Sequence, residues 1–440
     1  MNKYTYNIFR KLRSIRKGLP EDPKNIYMRL LESQYWPYER VINYQLDRIN
    51  RLLSTAKKSS EYYAIMLKDI SLPLKSIEEF DKAVPHITKD IIKTHNEKLK
   101  TKYYIPNYKH TSSGSTGDPI TIFTSGISEA YRDAGLLRFY SWWKISPHEN
   151  NVLIWGKKAT RKQSFLMIEK LKSYVRNRHD INVFDLGPKT IKQYYEKLVQ
   201  IKPAYIRGFK SGILQLAELI EENRLNVDKL RLKLVVSTAE VLLENERTYM
   251  EKVLHCPVAN EYGSSDIGQI AFECPHRSMH IYEEAVYVNT NERNEIIATE
   301  IYNDSMPLIN YRNNDIVILS NKVCTCGRKS RIISRIEGRD EELVKKKDGQ
   351  KVSPIIFIYI MMELDDIGLG DRVLKWRIVQ NQDKYRYYIV PKPGYNKQVE
   401  DYIKKRLHEE FGNDKTVEFF ITDNIPRDKS GKLRLYTRID

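Results

Sequence analysis

The sequence predicts an α/β protein, with a large N-terminal domain of several αβ subdomains that includes a β subdomain, followed by a small α+β C-terminal domain. Three observations predict it. The chain has 440 residues with 41% hydrophobic content, enough to bury more than one core. Between Asn151 and about Tyr262, short apolar runs alternate with helical patterns, the mark of βαβ units on a largely parallel sheet. Beyond Asp266 the pattern becomes a series of short β-prone segments, and beyond Gly338 a mixture of strands with one long amphipathic helix.

Taken in order, residues 1–110 read as mostly helical, in Tyr- and Lys-rich amphipathic runs. The alternation then proceeds through NVLIW (151–155), KTIKQYYEKLVQ (189–200), AYIRGF (204–209), ILQLAELIEENR (213–224), LKLVVST (232–238) and EVLLENERTYMEKVL (240–254). Segments 267–337 (IAFEC, MHIYEEAVYV, EIIATEIY and DIVIL) form the β subdomain. WRIVQ, YRYYIV, KQVEDYIKKRLHEEF and TVEFFITD make up the C-terminal domain, 338–440. The domain boundary falls at the Gly338-Arg339 turn, so the N-terminal domain spans 1–337.

No run approaches the roughly 18 apolar residues of a membrane-spanning helix, and the basic start has no apolar segment typical of a secretory signal. Four cysteines suit a reducing compartment. A cytoplasmic protein is expected. The net charge is +17, from 74 Lys and Arg against 57 Asp and Glu. These charges are spread along the chain, so no specific nucleic-acid partner is expected. Residues 1–20 hold six Lys or Arg and no acid, with Ile8, Phe9, Leu12, Ile15 and Leu19 at helical spacing. Such a helix either packs on its own domain or makes peripheral contact with a membrane.

Thr111, Ser112, Ser113, Gly114, Ser115, Thr116 and Gly117, followed by Asp118-Pro119, concentrate hydroxyls and glycines where a backbone could wrap phosphate oxygens. The Walker lysine is absent, so this is either another kind of phosphate loop or an ordinary turn. In parallel α/β sheets, ligands collect beyond the carboxyl ends of strands. Ser237-Thr-Ala-Glu240 and Glu261-Tyr-Gly-Ser-Ser-Asp266 both fall there and are expected to share one site.

The loop at Thr111, EYGSSD at 261–266, YRNND at 311–315, GRDEE at 338–342 and PRDKSGK at 426–432 occur in one fixed order. That order resembles the adenylate-forming, acyl-activating superfamily. IRGFKSGILQLA (206–217), STAE (237–240), MPLINYR (306–312) and CTCGR (324–328) narrow the resemblance to its short phenylacetate-CoA ligase-like branch, which includes relatives from surface-polysaccharide clusters. It covers Thr111 to the C-terminus.

The resemblance implies an AMP-forming acid–thiol ligase: a large adenylation domain and a small mobile C-terminal lid. ATP, Mg2+, a small-molecule carboxylic acid and coenzyme A would be its reactants and cofactors. The alternative acceptor is an amine or carrier thiol in surface-polysaccharide modification. A zinc-containing nucleic-acid-binding protein is the reading from a different class. The resemblance also implies individual roles. The 111–117 loop would hold the β- and γ-phosphates. Ala239, Glu240, Asn260 and Tyr262 would lie against the adenine, Asp315 would hold both ribose hydroxyls, and Arg339 would assist at the ribose or phosphate. Asp266 stands where most relatives carry Glu and would serve Mg2+. In YRNND, Asn313-Asn314 replaces the usual Thr-Gly. Glu341 would sit at the interdomain hinge, or in a plain surface turn. Lys432 would be the catalytic residue, its ammonium bridging the carboxylate and the α-phosphate.

Cys274, His280, Cys324 and Cys326 form a candidate structural zinc set, with His276 competing for the fourth position. Cys256 reads as a core thiol. Trp142, Trp143, Trp155 and Phe209 are the expected surroundings of the acid's acyl group.

Overall fold

The computed structural model describes residues 18–102, 108–111, 120–156, 177–320, 322–339, 344–349, 351–352, 354–428 and 433–439, with positions 11, 14 and 15. Much of the basic N-terminal segment, for which membrane contact was one reading, lies outside the described residues. No described helix is long and apolar enough to cross a membrane.

Five helices open the described chain: α1 (Pro23–Ser33), α2 (Tyr38–Ser59), α3 (Glu61–Met66), α4 (Ile77–Ala83) and α5 (Lys89–Leu99). Their starts are written in the sequence. The side chains of Asp22, Ser60, Ser76 and Thr88 each accept a backbone N–H in the first turn, satisfying donors that the helix itself cannot. Strands β1 (Tyr108–Thr111) and β2 (Thr121–Thr124) then pair antiparallel, with Thr111 opposite Thr121. The hydroxyl-rich stretch runs between these paired ends, and Ser112 to Gly117 lie outside the described residues.

Helix α6 (Gly126–Trp142) is followed by β3 (Asn151–Trp155), β4 (Arg178–Asn182), α7 (Ile191–Ile201), β5 (Tyr205–Phe209), α8 (Lys210–Glu222), β6 (Leu234–Thr238), α9 (Glu244–Leu254) and β7 (Val258–Ser264). The strands pair in parallel in the order β4-β3-β5-β6-β7. One sheet face is covered by α7, α8 and α9 over a core that includes Val152, Ile154, Ile206, Val235, Leu198, Ile213, Leu216 and Met250. Gly208 lets β5 and β3 close up, because a Cβ there would lie 2.5 Å from the Ile154 carbonyl oxygen.

The strands after Asp266 are β8 (Gly268–Glu273), β9 (Met279–Ile281), β10 (Val286–Thr290), β11 (Glu295–Glu300), β12 (Tyr311–Ser320) and β13 (Ile332–Arg339). The β subdomain expected over 267–337 does not build a sheet of its own. Its strands extend the parallel sheet into one of eleven strands, ordered β10-β11-β12-β13-β9-β8-β7-β6-β5-β3-β4. The edge of β7 offers an unpaired row of backbone groups, and β8 folds back antiparallel onto it. Ile270, Ala271 and Phe272 are fully buried, a continuous apolar run that suits a strand covered on both faces.

A second unit comprises residues 336–440 together with 314–316. Within it, β14 (Val344–Lys345) and β15 (Lys351–Val352) form a short hairpin. Helix α10 (Ile355–Asp366) precedes β16 (Val373–Asn381) and β17 (Lys384–Pro391), and α11 (Lys397–Phe411) precedes β18 (Thr416–Ile421) and β19 (Tyr436–Ile439). The sheet order is β18-β17-β16-β19. Val399, Ile403, Leu407 and Phe411, four residues apart along α11, pack with Phe357 of α10 against Tyr385, Tyr387 and Ile389.

Candidate functional site

The carboxyl ends of β6 and β7 lie side by side, with Ser237 paired to Asn260 and Thr238 to Glu261. Two motifs more than twenty residues apart thereby meet at one sheet edge. Ala239, at φ 66, turns the chain out of β6. Glu240 then faces the start of α8, where its carboxylate accepts from the Ser211 N–H at 2.7 Å and the Ser211 hydroxyl at 3.0 Å. A negative group at a helix N-terminus is favourable in its own right. The Glu240 side chain is thus committed to α8.

Along β7, Tyr262 is largely buried. A Cβ at Gly263 would lie 2.4 Å from the Gly268 carbonyl oxygen, so a side chain here would force the β7–β8 pairing to shift. At Gly268, φ is +88 and Arg132 Nε occupies the space 2.7 Å from where a Cβ would stand. The turn between them carries Asp266, a buried carboxylate whose Oδ2 accepts from the Tyr311 hydroxyl at 2.9 Å. Tyr311 opens β12, so the YRNND motif fixes the EYGSSD acid through its first residue.

Buried charge braces these strand ends. The Glu273 carboxylate accepts the Asn260 N–H at 2.7 Å and both terminal nitrogens of Arg247, at 2.9 and 3.0 Å. At the root of the hydroxyl-rich stretch, Glu129 Oε1 accepts from Thr124 Oγ1 at 2.8 Å and lies 2.9 Å from His110 Nε2. Burial alone would raise the Glu129 pKa. His110, Arg132 and Thr124 overcome that and hold it down at about 2. Arg132 is bound twice by Glu300, at 2.9 and 3.0 Å. Burial opposes its charge, but Glu300, Glu129 and Asp266 together keep it protonated.

The sulfur and nitrogen atoms of Cys274, His280, Cys324 and Cys326 lie within 4.8 Å of one another. Cys274 Sγ is 3.7 Å from Cys324 Sγ, and Cys326 Sγ is 3.3 Å from His280 Nε2. Two thiolates on one tetrahedral zinc, at about 2.3 Å each, would stand about 3.8 Å apart. The geometry therefore fits a four-ligand set. His280 Nδ1 is held by Ser330 Oγ at 3.1 Å, which leaves Nε2 toward the sulfurs. Burial and the nearby Arg328 and Arg138 push the imidazole down to about 4, so it is neutral as a ligand must be. His276 is directed elsewhere, its Nδ1 2.7 Å from Thr325 Oγ1. Cys256 is buried away from this group, and burial pushes its thiol up to about 12.

Comparison with known proteins points the same way as the motif order. Residues 344–438 match the family described as the CapK C-terminal domain. Protein CapK of Staphylococcus aureus is 25% identical over 416 residues, covering 89% of this chain and 87% of that protein. A phenylacetate-coenzyme A ligase of Thermus thermophilus is 25% identical over 169 residues, 35% of this chain and 36% of that enzyme. Among solved structures, 2-hydroxyisobutyryl-CoA ligase in its postadenylation state matches with TM-score 0.74 and 16% identity over 92% of this chain and 91% of that one. In motif order, in these relatives and in fold, the chain is similar to the adenylate-forming superfamily and its phenylacetate-CoA ligase-like branch.

Among the described residues, Ala239, Glu240, Asn260 and Tyr262 fall at the adjacent ends of β6 and β7 with Asp266 in the turn after β7, and the cysteine–histidine set lies together separately. Thr111 ends β1, Asp315 lies half-buried in β12, and Arg339 ends β13. Glu341 and Lys432 lie outside the described residues. Of the aromatic residues expected around the acyl group, Trp155 and Phe209 stack at 4.0 Å. Trp142 and Trp143 are engaged elsewhere, because they end α6. Trp142 Nε1 donates to Gln34 Oε1 at 2.8 Å, and Trp143 Nε1 donates to the Glu273 carbonyl at 3.0 Å. Sequence reasoning missed Arg207, Glu273, His110 and Arg132. The one available signal was a charge inside an otherwise apolar strand, as in AYIRGF.

Proposed function

We propose that this chain activates a carboxylic acid with ATP as an acyl-adenylate, releasing pyrophosphate, and then transfers the acyl group to coenzyme A. The observation that carries the proposal is the meeting of STAE and EYGSSD at adjacent strand ends, with Asp266 fixed by Tyr311. That edge of a parallel sheet is where a nucleotide finds backbone donors and an aromatic face.

In the first step a carboxylate oxygen attacks the α-phosphorus, the bond from that phosphorus to its bridging oxygen breaks, and pyrophosphate leaves. The 111–117 loop would restrain the departing phosphates, and Tyr262, Asn260 and the Ala239–Glu240 backbone would place the base. Asp315 would hold both ribose hydroxyls, and Arg339 would assist at the ribose or phosphate. Lys432 would stabilise the negative charges as they converge. In the second step a thiolate attacks the acyl carbonyl carbon and the bond to AMP breaks. Asp266 is a hard oxygen donor suited to Mg2+, which would offset phosphate charge when bound. Cys274, His280, Cys324 and Cys326 would hold Zn2+ in a closed structural site, with no open position for chemistry.

Pyrophosphate exchange over a library of carboxylic acids tests the first step, with Lys432→Ala as control. The proposal fails if no acid stimulates exchange, or if the variant exchanges as well as the parent. A second reading keeps the adenylation but delivers the acyl group to an amine or carrier thiol in surface-polysaccharide modification. The extent of the match to protein CapK favours it. Consumption of free coenzyme A thiol with an accepted acid decides between the two.

A further inference from the structure

Among the described residues of the first unit, six arginines pair with a buried carboxylate, and one of them, Arg207, stands beside the strand ends of the candidate site. Arg132, Arg138 and Arg247 keep 12% or less of their side-chain surface exposed in their pairs with Glu300, Glu284 and Glu273. Arg207, paired with Glu261, keeps 24%, between Arg331 at 20% and Arg312 at 35% in their pairs with Glu283 and Glu295. Tyr205 and Arg207 are the half-buried positions of β5, two residues apart, so Arg207 stands partly accessible on the sheet face that carries Tyr205.

Its geometry leaves one edge unused. Arg207 projects from β5 and reaches past β6 to Glu261 on β7. Nε donates to Oε2 at 2.8 Å and Nη2 to Oε1 at 2.6 Å. Nη1 makes no hydrogen bond among the described residues. The carboxylate thus fixes the guanidinium plane and neutralises its charge, while two N–H donors remain directed away from Glu261. By register Arg207 lies level with Val236 of β6 and Ala259 of β7, three residues short of Tyr262 along the sheet. Beside it, the Tyr140 ring packs on the Tyr205 ring at 4.3 Å, with Thr238 on the intervening strand. An apolar acyl chain would strand those N–H donors out of water, at a real energetic cost. A second carboxylate would meet the charge of Glu261. A neutral oxygen meets neither objection.

We propose that Arg207, oriented by Glu261, is a specificity-determining residue that donates to an oxygen on the substrate's acyl chain, so that the acid activated is a hydroxy or keto acid. This rests on the acyl-activating reading above. The experiment compares matched acids in pyrophosphate exchange: propionate with lactate and pyruvate, and butyrate with 3-hydroxybutyrate and acetoacetate. With the parent protein, the oxygen-bearing member of at least one set is favoured at least about tenfold in kcat/KM, because a site built to hydrogen-bond an oxygen rejects the analogue lacking it.

In the Arg207→Leu, Glu261→Leu double variant, which leaves no orphaned charge, that preference falls below about threefold while exchange with the hydrocarbon acids persists. Arg207→Lys, which keeps the charge but loses the fork, raises KM for the oxygen-bearing acid selectively and serves if the double variant does not fold. Preference for the hydrocarbon acids in the parent overturns the inference and leaves acyl activation standing. So does an equal loss of exchange for all acids in Arg207→Lys. Absence of exchange with every acid tested here and in the library overturns the acyl-activating reading and the inference with it.

Discussion

Replacing Glu273 with Ala separates a brace from a bystander. The carboxylate is buried and receives three N–H groups: two from Arg247, at 2.9 and 3.0 Å, and the backbone N–H of Asn260, at 2.7 Å. Arg247 is itself buried, at 9% side-chain exposure, so removing Glu273 leaves its guanidinium with only the exposed Glu244 carboxylate, 3.2 Å from Nε, and the Val258 carbonyl. Breaking such a pair costs about 3–5 kcal/mol. Replacing both partners with apolar residues of similar size, as in Arg247→Met with Glu273→Leu, removes the orphaned charge and restores most of that loss. Urea denaturation followed by tryptophan fluorescence reads both, since Trp143 donates to the Glu273 carbonyl and reports on this region. The single variant should show a lowered midpoint for the transition of the first unit, and the double variant a partial return. A loss under about 1 kcal/mol in Glu273→Ala, or a double variant as unstable as the single, refutes the reasoning. Because Asn260 belongs to the proposed base site, Glu273→Ala should also raise KM for ATP in pyrophosphate exchange.

Three other outcomes follow from the described geometry. The Glu129 pKa is held at about 2, below its ordinary value, so its contribution is present above that ordinary value and is lost as pH falls toward 2. Glu129→Gln should therefore destabilise by up to about 3 kcal/mol near pH 7 and much less near pH 2, measured by denaturation across that range; a pH-independent difference contradicts the assignment. Cys326→Ser should lower bound zinc from about one equivalent per chain to well below it by elemental analysis, with a lowered Tm that added zinc does not restore. Full zinc retention would show that the four groups do not act as one site. Gly263→Ala must push its new Cβ against the Gly268 carbonyl, 2.4 Å away, and should cost about 1–3 kcal/mol while weakening ATP use through the shifted Asp266 turn. Unchanged stability would mean that the β7–β8 pairing yields easily.

The sequence by itself determined the local and the ordered. The alternation from Asn151 to Tyr262 required a parallel sheet, because strand and helix periods alternate at βαβ spacing. Residues 1–110 read as mostly helical from their amphipathic runs, and in the structure Asp22, Ser60, Ser76 and Thr88 cap helices there. The order of the Thr111 loop, EYGSSD, YRNND, GRDEE and PRDKSGK carries the resemblance to the adenylate-forming superfamily, because a shared catalytic architecture keeps its parts in sequence even where each part is common.

Tertiary structure decided what depends on pairing between distant segments. Whether β8 to β13 formed their own sheet or prolonged the first turned on the free edge of β7, and an edge has no signature in the residues that will occupy it. His280 rather than His276 turns toward the three sulfurs because β9 pairs with β13 and brings Ser330 to its Nδ1. Trp142 and Trp143 looked equivalent to Trp155 by composition, but the end of α6 carries them to Gln34 and Glu273. Arg207 is the clearest instance. In AYIRGF it is one charge within an apolar strand, and its partner lies fifty-four residues away in sequence on β7. Only the register of β5, β6 and β7 brings Arg207 and Glu261 together, because charge pairing acts through space and the sequence records only order along the chain.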